Sequence, residues 1–199
     1  MLLDSIRARH YLKTFDFKAL FIDELGWNKC SNLLDFTIDG HSFSLAAVSE
    51  KKGMVVFICS ALVNGKVPDY SLRRKIERQT AKSVHEHIII YTDNSNTIQI
   101  WQWVKRETDK PTACREHAYH INQPGDSLIQ KLQSIAFRLE EEEILTIVEV
   151  AGRAKAAFDV ERITKRFYDR FKTEHDAFLK FIDGIPDDEL QRWYASVML

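Results

Sequence analysis

The sequence predicts an α/β protein in two parts: a mixed sheet bracketed by helices over residues 1–122, then a helical connector over residues 123–199. Three observations carry this. Short apolar or alternating runs cluster between residues 34 and 105. Apolar residues recur at helical spacing on either side of that cluster, and Gln123-Pro124-Gly125 punctuates the change of character.

Residues 15–26 place Phe17, Leu20, Phe21 and Leu25 on one helical face, with Gly26 as the stop. The strand-like run 34–39 follows and ends at the turn dipeptide Asp39-Gly40. Residues 42–49 alternate through Phe43, Leu45 and Ala47, SEKKG reads as the next turn, and 54–60 is a continuous apolar run suited to a central strand. Gly65 and Pro68 lead into a helix over 70–84, capped by Asp69 or Ser71. Strands at 87–92 and 97–105, joined by DNSN, complete the order α-β-β-β-α-β-β. Beyond residue 125, helices are expected over 126–145, 160–182 and 187–199, with the acidic run Glu140–Glu143 as a solvated face.

Composition excludes several classes of function. The chain has 199 residues, 28 Lys+Arg against 29 Asp+Glu, and 45% apolar residues, which fits a folded protein with a real core. Its seven glycines are scattered, so no Walker-type, G-x-G-x-x-G or S-adenosylmethionine loop is present. The apolar stretch 54–63 is about half the length of a membrane span. Three cysteines without a C-x-x-C, and a start that lacks a signal peptide's apolar core, predict a soluble cytoplasmic protein with no membrane partner. The apolar ending WYASVML predicts a chain that continues into a longer protein.

The α-β-β-β-α-β order is the core of the restriction-endonuclease-like fold. That fold calls for an acid at a strand edge and Glu-x-Lys on the neighbouring strand, because alternate strand residues share a face. Two carboxylates then share Mg²⁺ and the lysine sits by the attacking water. Asp39 with Glu50 and Lys52 matches that spacing, with Asp39 and Glu50 as the Mg²⁺ ligands and Asp35 and Glu24 as further acids. The strand where the motif belongs, MVVFICS, has neither an acid nor a lysine, so a nuclease-shaped domain without cleavage chemistry is the expectation.

Charge is segregated despite its near-neutral sum. Residues 71–82 carry Arg73, Arg74, Lys75, Arg78 and Lys82 against the single acid Glu77. Residues 153–172 carry seven bases, among them Arg162, Lys165 and Arg166, against three acids, and residues 173–199 reverse the balance. Such helices track the phosphates of double-stranded DNA by releasing counterions. His85, His87, His117, His120 and Cys114 lack a four-ligand zinc spacing. Trp101 and Trp103 share a strand face and are expected to cover the sheet.

The runs AAFDVERITKRFYDRFKTEHDAFLKFIDGI and RWYASVML, with EHIIIYTDNSNTIQIWQWVKRE and FKALFIDELGW, resemble the N-terminal region of type IIG-like restriction–modification proteins. These fuse an endonuclease to an adenine-specific DNA methyltransferase. The resemblance implies a DNA-engaging, nuclease-like region ahead of a downstream methyltransferase domain that binds S-adenosylmethionine, with specificity domains as further partners. It leaves two alternatives: an active Mg²⁺-dependent endonuclease, or a scaffold that docks the methylase or specificity domain through Trp101, Trp103 and the final helix.

Overall fold

The computed structural model describes residues 3–106, 112–159, 161–180 and 187–198, without the side chains of 161–166, 188 and 198. Two compact units divide it, residues 1–159 and 160–199. The first is mixed α/β around a mostly antiparallel seven-stranded sheet.

The strands are β1 (Asn28–Lys29), β2 (Leu33–Ile38), β3 (His41–Lys51), β4 (Met54–Cys59), β5 (His87–Thr92), β6 (Ile98–Lys105) and β7 (Ala113–His120). They lie in the order β1-β3-β4-β5-β6-β7, with β2 also paired to β3. The one parallel pair is β4–β5, joined by α3 (Tyr70–Thr80). A parallel neighbour requires such a crossover, because a short turn can only reverse the chain. Both hairpins of the β2-β3-β4 meander turn on two residues at positive φ: Asp39 and Gly40, then Lys52 and Gly53. Paired positive φ values mark the turn whose twist matches the flanking strands. The SEKKG segment is therefore mostly strand, and only Lys52-Gly53 is turn.

One face of the sheet carries α1 (Ser5–Thr14), α2 (Phe17–Ala19), which runs into a π-helical stretch Leu20–Glu24, α4 (Asp126–Ser134) and α5 (Ile147–Phe158). Leu12, Phe21, Leu132 and Val150 come from this layer to meet Val56, Ile90, Trp101 and Trp103 of the sheet. Trp101 stacks on Phe21 with ring centroids 5.9 Å apart. Ile76 of α3 covers Leu45, Phe57, Ile89 and Tyr91 on the other face. Burying an aliphatic side chain of this size contributes about 1.5–3 kcal/mol, so both faces hold genuine core.

A register shift between Ala47 and Ser49 reverses which side of β3 faces which layer. Ala47 sits opposite Phe57 of the α3-side core, whereas Ser49 and Lys51 sit opposite Val56 and Met54 of the other. An extra residue in a strand flips every side chain after it. Lys51 is consequently buried under the helical layer, its Nζ donating to Gly26 O at 2.7 Å and to Glu142. The Phe137 ring lies 5.6 Å from that ammonium.

Several expectations are revised here. The helix expected over 126–145 breaks after α4, passes through a 3-10 turn Leu139–Glu141, and resumes as α5 from the Thr146 cap. The acidic run is a solvated face only in part: Glu140 and Glu143 are exposed, whereas Glu142 binds Lys51 and Lys52, and Glu141 binds Arg153. Neutralising buried or half-buried cations is what Glu141 and Glu142 do. The compact α/β unit extends to Asp159 and not to residue 122, since α4 and α5 supply one wall of its core. The second unit contains α6 (Glu161–Leu179) and α7 (Asp188–Met198), joined where His175 Nε2 and Ser196 Oγ approach to 3.2 Å. No helix among the described residues is long and apolar enough to cross a membrane.

Lys51→Ala opens a void under the helical layer, leaves the Gly26 carbonyl unpaired and leaves Glu142 to Lys52 alone, and is expected to cost about 2–5 kcal/mol. Lys51→Met refills the void while Lys52 still answers Glu142, and should recover the packing part of that loss. Urea denaturation midpoints of the two variants check the pair. Gly26→Ala should fail more severely, because a Cβ added at φ +68° would run into the Phe137 carbonyl.

Candidate nucleic-acid interface

Helix α3 begins at Asp69, whose carboxylate accepts from Leu72 N at 2.8 Å. Its inward residues are Arg73, Ile76, Glu77 and Thr80, spaced i, i+3, i+4, i+7 as a buried helical stripe must be. Lys75 and Arg78 are exposed on the opposite side, Lys82 continues their line past the helix end, and Arg74 is half-buried at the margin. The cluster predicted as five DNA-facing cations therefore divides. From Lys75 to Lys82 the outer stripe extends for about 10 Å at 1.5 Å per residue.

Arg73 is removed from the interface by its own partners. Its Nε and Nη2 donate to the two oxygens of Glu116 on β7, at 2.9 and 2.6 Å, and Nη1 donates to Pro68 O at 2.5 Å. Glu116 Oε1 also accepts from Gln102 Nε2 at 2.8 Å, and Gln102 Oε1 accepts from the Tyr91 hydroxyl at 3.0 Å. Burial lowers the Arg73 guanidinium, but Glu116 more than offsets this and holds it above its ordinary value. Glu77 is taken up in the same layer by Arg106.

Beside Glu77, His87 is 2% exposed and its Nδ1 donates to Val84 O at 2.7 Å. Burial, reinforced by Arg106 and His85, lowers the imidazole to about 4 against the Val84 hydrogen bond. Glu77 Oε1 lies 3.9 Å from Nε2. Thus α3 rests on a polar layer, and its inward charges are internally matched. Glu116 had no signal in the sequence, but the inward setting of Arg73 did: it shares a helical face with Ile76 and Thr80.

The expected catalytic set does not assemble. Asp39 lies in the β2–β3 turn and Glu50 near the opposite end of β3, on the order of 30 Å away at 3.4 Å per residue. Two carboxylates so separated do not share a Mg²⁺ ion. Both are engaged locally instead. Asp39 Oδ2 pairs with Lys75 Nζ at 2.5 Å, and Glu50 Oε2 accepts from Gly53 N at 3.2 Å. Lys52 Nζ meets Glu142 Oε1 at 3.3 Å. Glu24 pairs with Arg7, while Asp35 is exposed on β2.

A cleft of about 380 Å³ opens at the carboxyl end of β4, between the start of β3 and residues 60–63. Ser42, Ser44 and Ser60 line it with His41, over Phe43 and Cys59. It contains no carboxylate and no lysine. Burial pushes the Cys59 thiol up to about 12, so a thiolate nucleophile is not available there.

Among the described residues no group of three metal-ligating side chains comes together. Trp101 and Trp103 are core residues, 0% and 4% exposed, and offer no face for a base or for a docking domain. Arg162, Lys165 and Arg166 belong to α6, but their side chains lie outside the described residues.

The two kinds of cation on α3 should respond differently to substitution. Arg73→Ala leaves the half-buried Glu116 without its main partner and is expected to lower stability by about 2–3 kcal/mol. Arg78→Ala and Lys82→Ala should each stay within about 0.5 kcal/mol of the parent in thermal or urea unfolding. His87 supplies a pH signature. Its folded pKa is depressed, so the unfolded state binds the proton more tightly and stability falls as pH drops from about 6.5 toward 4. The loss is on the order of 3 kcal/mol for a shift of that size, and His87→Gln should flatten the profile in that window. No known protein family, curated protein or solved structure matches this chain.

Proposed function

We propose that residues 1–159 form a duplex-DNA-engaging domain of restriction-endonuclease-like architecture that lacks cleavage chemistry of its own. In this reading it stands at the front of a restriction–modification DNA methyltransferase whose catalytic and specificity domains are its partners. The observation that carries the DNA contact is the outer stripe of α3, where Lys75, Arg78 and Lys82 face solvent while the helix's only acid, Glu77, is turned inward.

The strand connectivity supports the architectural part. An antiparallel β2-β3-β4 meander, a crossover helix and a strand β5 parallel to β4 follow one another, flanked by the helices of the opposite layer. The same topology speaks to chemistry. A nuclease of this order places its acid–lysine pair on the strand that β4 occupies, and β4 is wholly apolar apart from Cys59. With Asp39 and Glu50 at opposite ends of β3, the active-endonuclease alternative loses its metal pair. Phosphate neutralisation, and not hydrolysis, is the chemistry this surface supports.

With Lys75 paired to Asp39, the two cations Arg78 and Lys82, each neutralising one phosphate, give a slope of roughly −1.8 for log K against log salt. Duplex binding should then weaken about 12-fold between 50 and 200 mM salt. The triple variant Lys75→Ala, Arg78→Ala, Lys82→Ala should lose most of that slope while unfolding like the parent. Fluorescence anisotropy across a salt series, with mixed-sequence duplexes, makes the measurement. A parent protein that binds no duplex at low salt, or a triple variant with unchanged slope, would defeat the reading.

A further inference from the structure

The acid that fails as a metal ligand sits at the Lys75 end of the basic stripe. We infer that the Asp39 carboxylate occupies a phosphate position on α3 and is an internal competitor that keeps Lys75 from the DNA backbone. This deepens the reading of α3 as a duplex-facing surface and rests on it.

Four observations meet at this point. Asp39 Oδ2 lies 2.5 Å from Lys75 Nζ, a charge-assisted contact of the kind a phosphate oxygen makes. Both side chains are about half exposed, 46% for Lys75 and 56% for Asp39, so the pair is formed at the surface where a duplex would arrive. The carboxylate comes from outside the helix, on a turn whose two residues have φ of +51° and +78°. That turn closes a hairpin with six paired residues on each strand, and β2 packs on α3. The turn geometry fixes where Asp39 sits, so little chain entropy opposes its contact with Lys75.

Its counterpart on the stripe is different. Arg78 has no ion-pair partner among the described residues, and Lys82 contacts the neutral Gln79 amide at 2.8 Å. Lys75 alone is answered by an anion. Two consequences follow. While Asp39 holds Lys75, a backbone phosphate at that place gains one cation and meets one like charge. Without the Asp39 charge, Lys75 is released and another counterion is displaced on binding, adding about 0.9 to the magnitude of the salt slope. The hairpin tip thereby sets how tightly the stripe holds DNA without being part of what DNA touches. Charge removal there acts on affinity, and removal elsewhere on the hairpin does not.

The test uses Asp39→Asn, which keeps the side-chain shape and suits a turn residue at positive φ. Asp35→Asn, on the same hairpin and with the same change of net charge, is the control. Salt-series anisotropy on duplex DNA should show Asp39→Asn binding 3- to 10-fold tighter at 50 mM salt, with a slope steeper by about 0.9, and Asp35→Asn like the parent. Lys75→Ala should weaken binding by less than twofold in the parent and by at least threefold in the Asp39→Asn background. Equal slopes for parent and Asp39→Asn overturn the inference while leaving the duplex-binding reading intact. An equal effect of both Asn variants also overturns it, since net charge then suffices. Failure of every variant to bind at low salt removes both.

Discussion

The bidentate contact between Arg73 and Glu116 is the constraint from which the exposed basic face of α3 follows. It joins the middle of α3 to the outermost strand of the sheet, across two strands that contribute Tyr91 and Gln102 to the same network. A planar guanidinium accepts little rotation against a carboxylate held at both oxygens. Once Arg73 is docked, the helix cannot roll, and the residues one-half turn away must point at solvent. The buried pair adds little net stability by itself, because desolvation consumes much of its Coulomb energy. Its contribution is orientation: a helix lying on a greasy sheet alone could settle at several angles.

Much of the architecture was legible from residues that bury themselves completely. Met54–Cys59 and His87–Thr92 are continuous apolar strands because helices cover both their faces, and uninterrupted runs of this kind have few other readings. Strand β7 was invisible for the opposite reason. Its ACREHAYH alternates between Glu116, which serves the polar layer below α3, and Arg115, which pairs with Asp159 on the other side. Inward residues that are charged leave no hydrophobic period. Helix α1 escaped similarly, since only Ala8 and Leu12 of it are buried. The bulge at Val48 carries no mark in composition, yet it decides on which side Lys51 lies.

The site was less legible than the fold. A run of cations reads the same whether its members bind phosphate or each other, and only the placement of Glu116, Glu77 and Asp39 separates the two. Asp39 and Glu50 were grouped by a spacing suited to neighbouring strands. Here they bound a single long strand, and eleven residues of extended chain turn a short interval in sequence into the longest dimension of the sheet. Distance along a chain is a guide to proximity only when a turn intervenes.

The wall formed by α4 and α5 has a consequence for how the chain is made. Trp101 and Trp103 emerge from the ribosome with β6, whereas Phe137, Val150 and Phe158 of the same core cluster follow up to about 55 residues later. At about 5–20 residues per second, translation leaves this side of the sheet without α4 and α5 for roughly 3–11 s. The part of it that those helices cover must spend those seconds either shielded by a chaperone or exposed to its neighbours on the same polysome. Until α5 follows, the cover of that face comes from α1 and the Phe17–Glu24 segment, with Phe21 already stacked on Trp101.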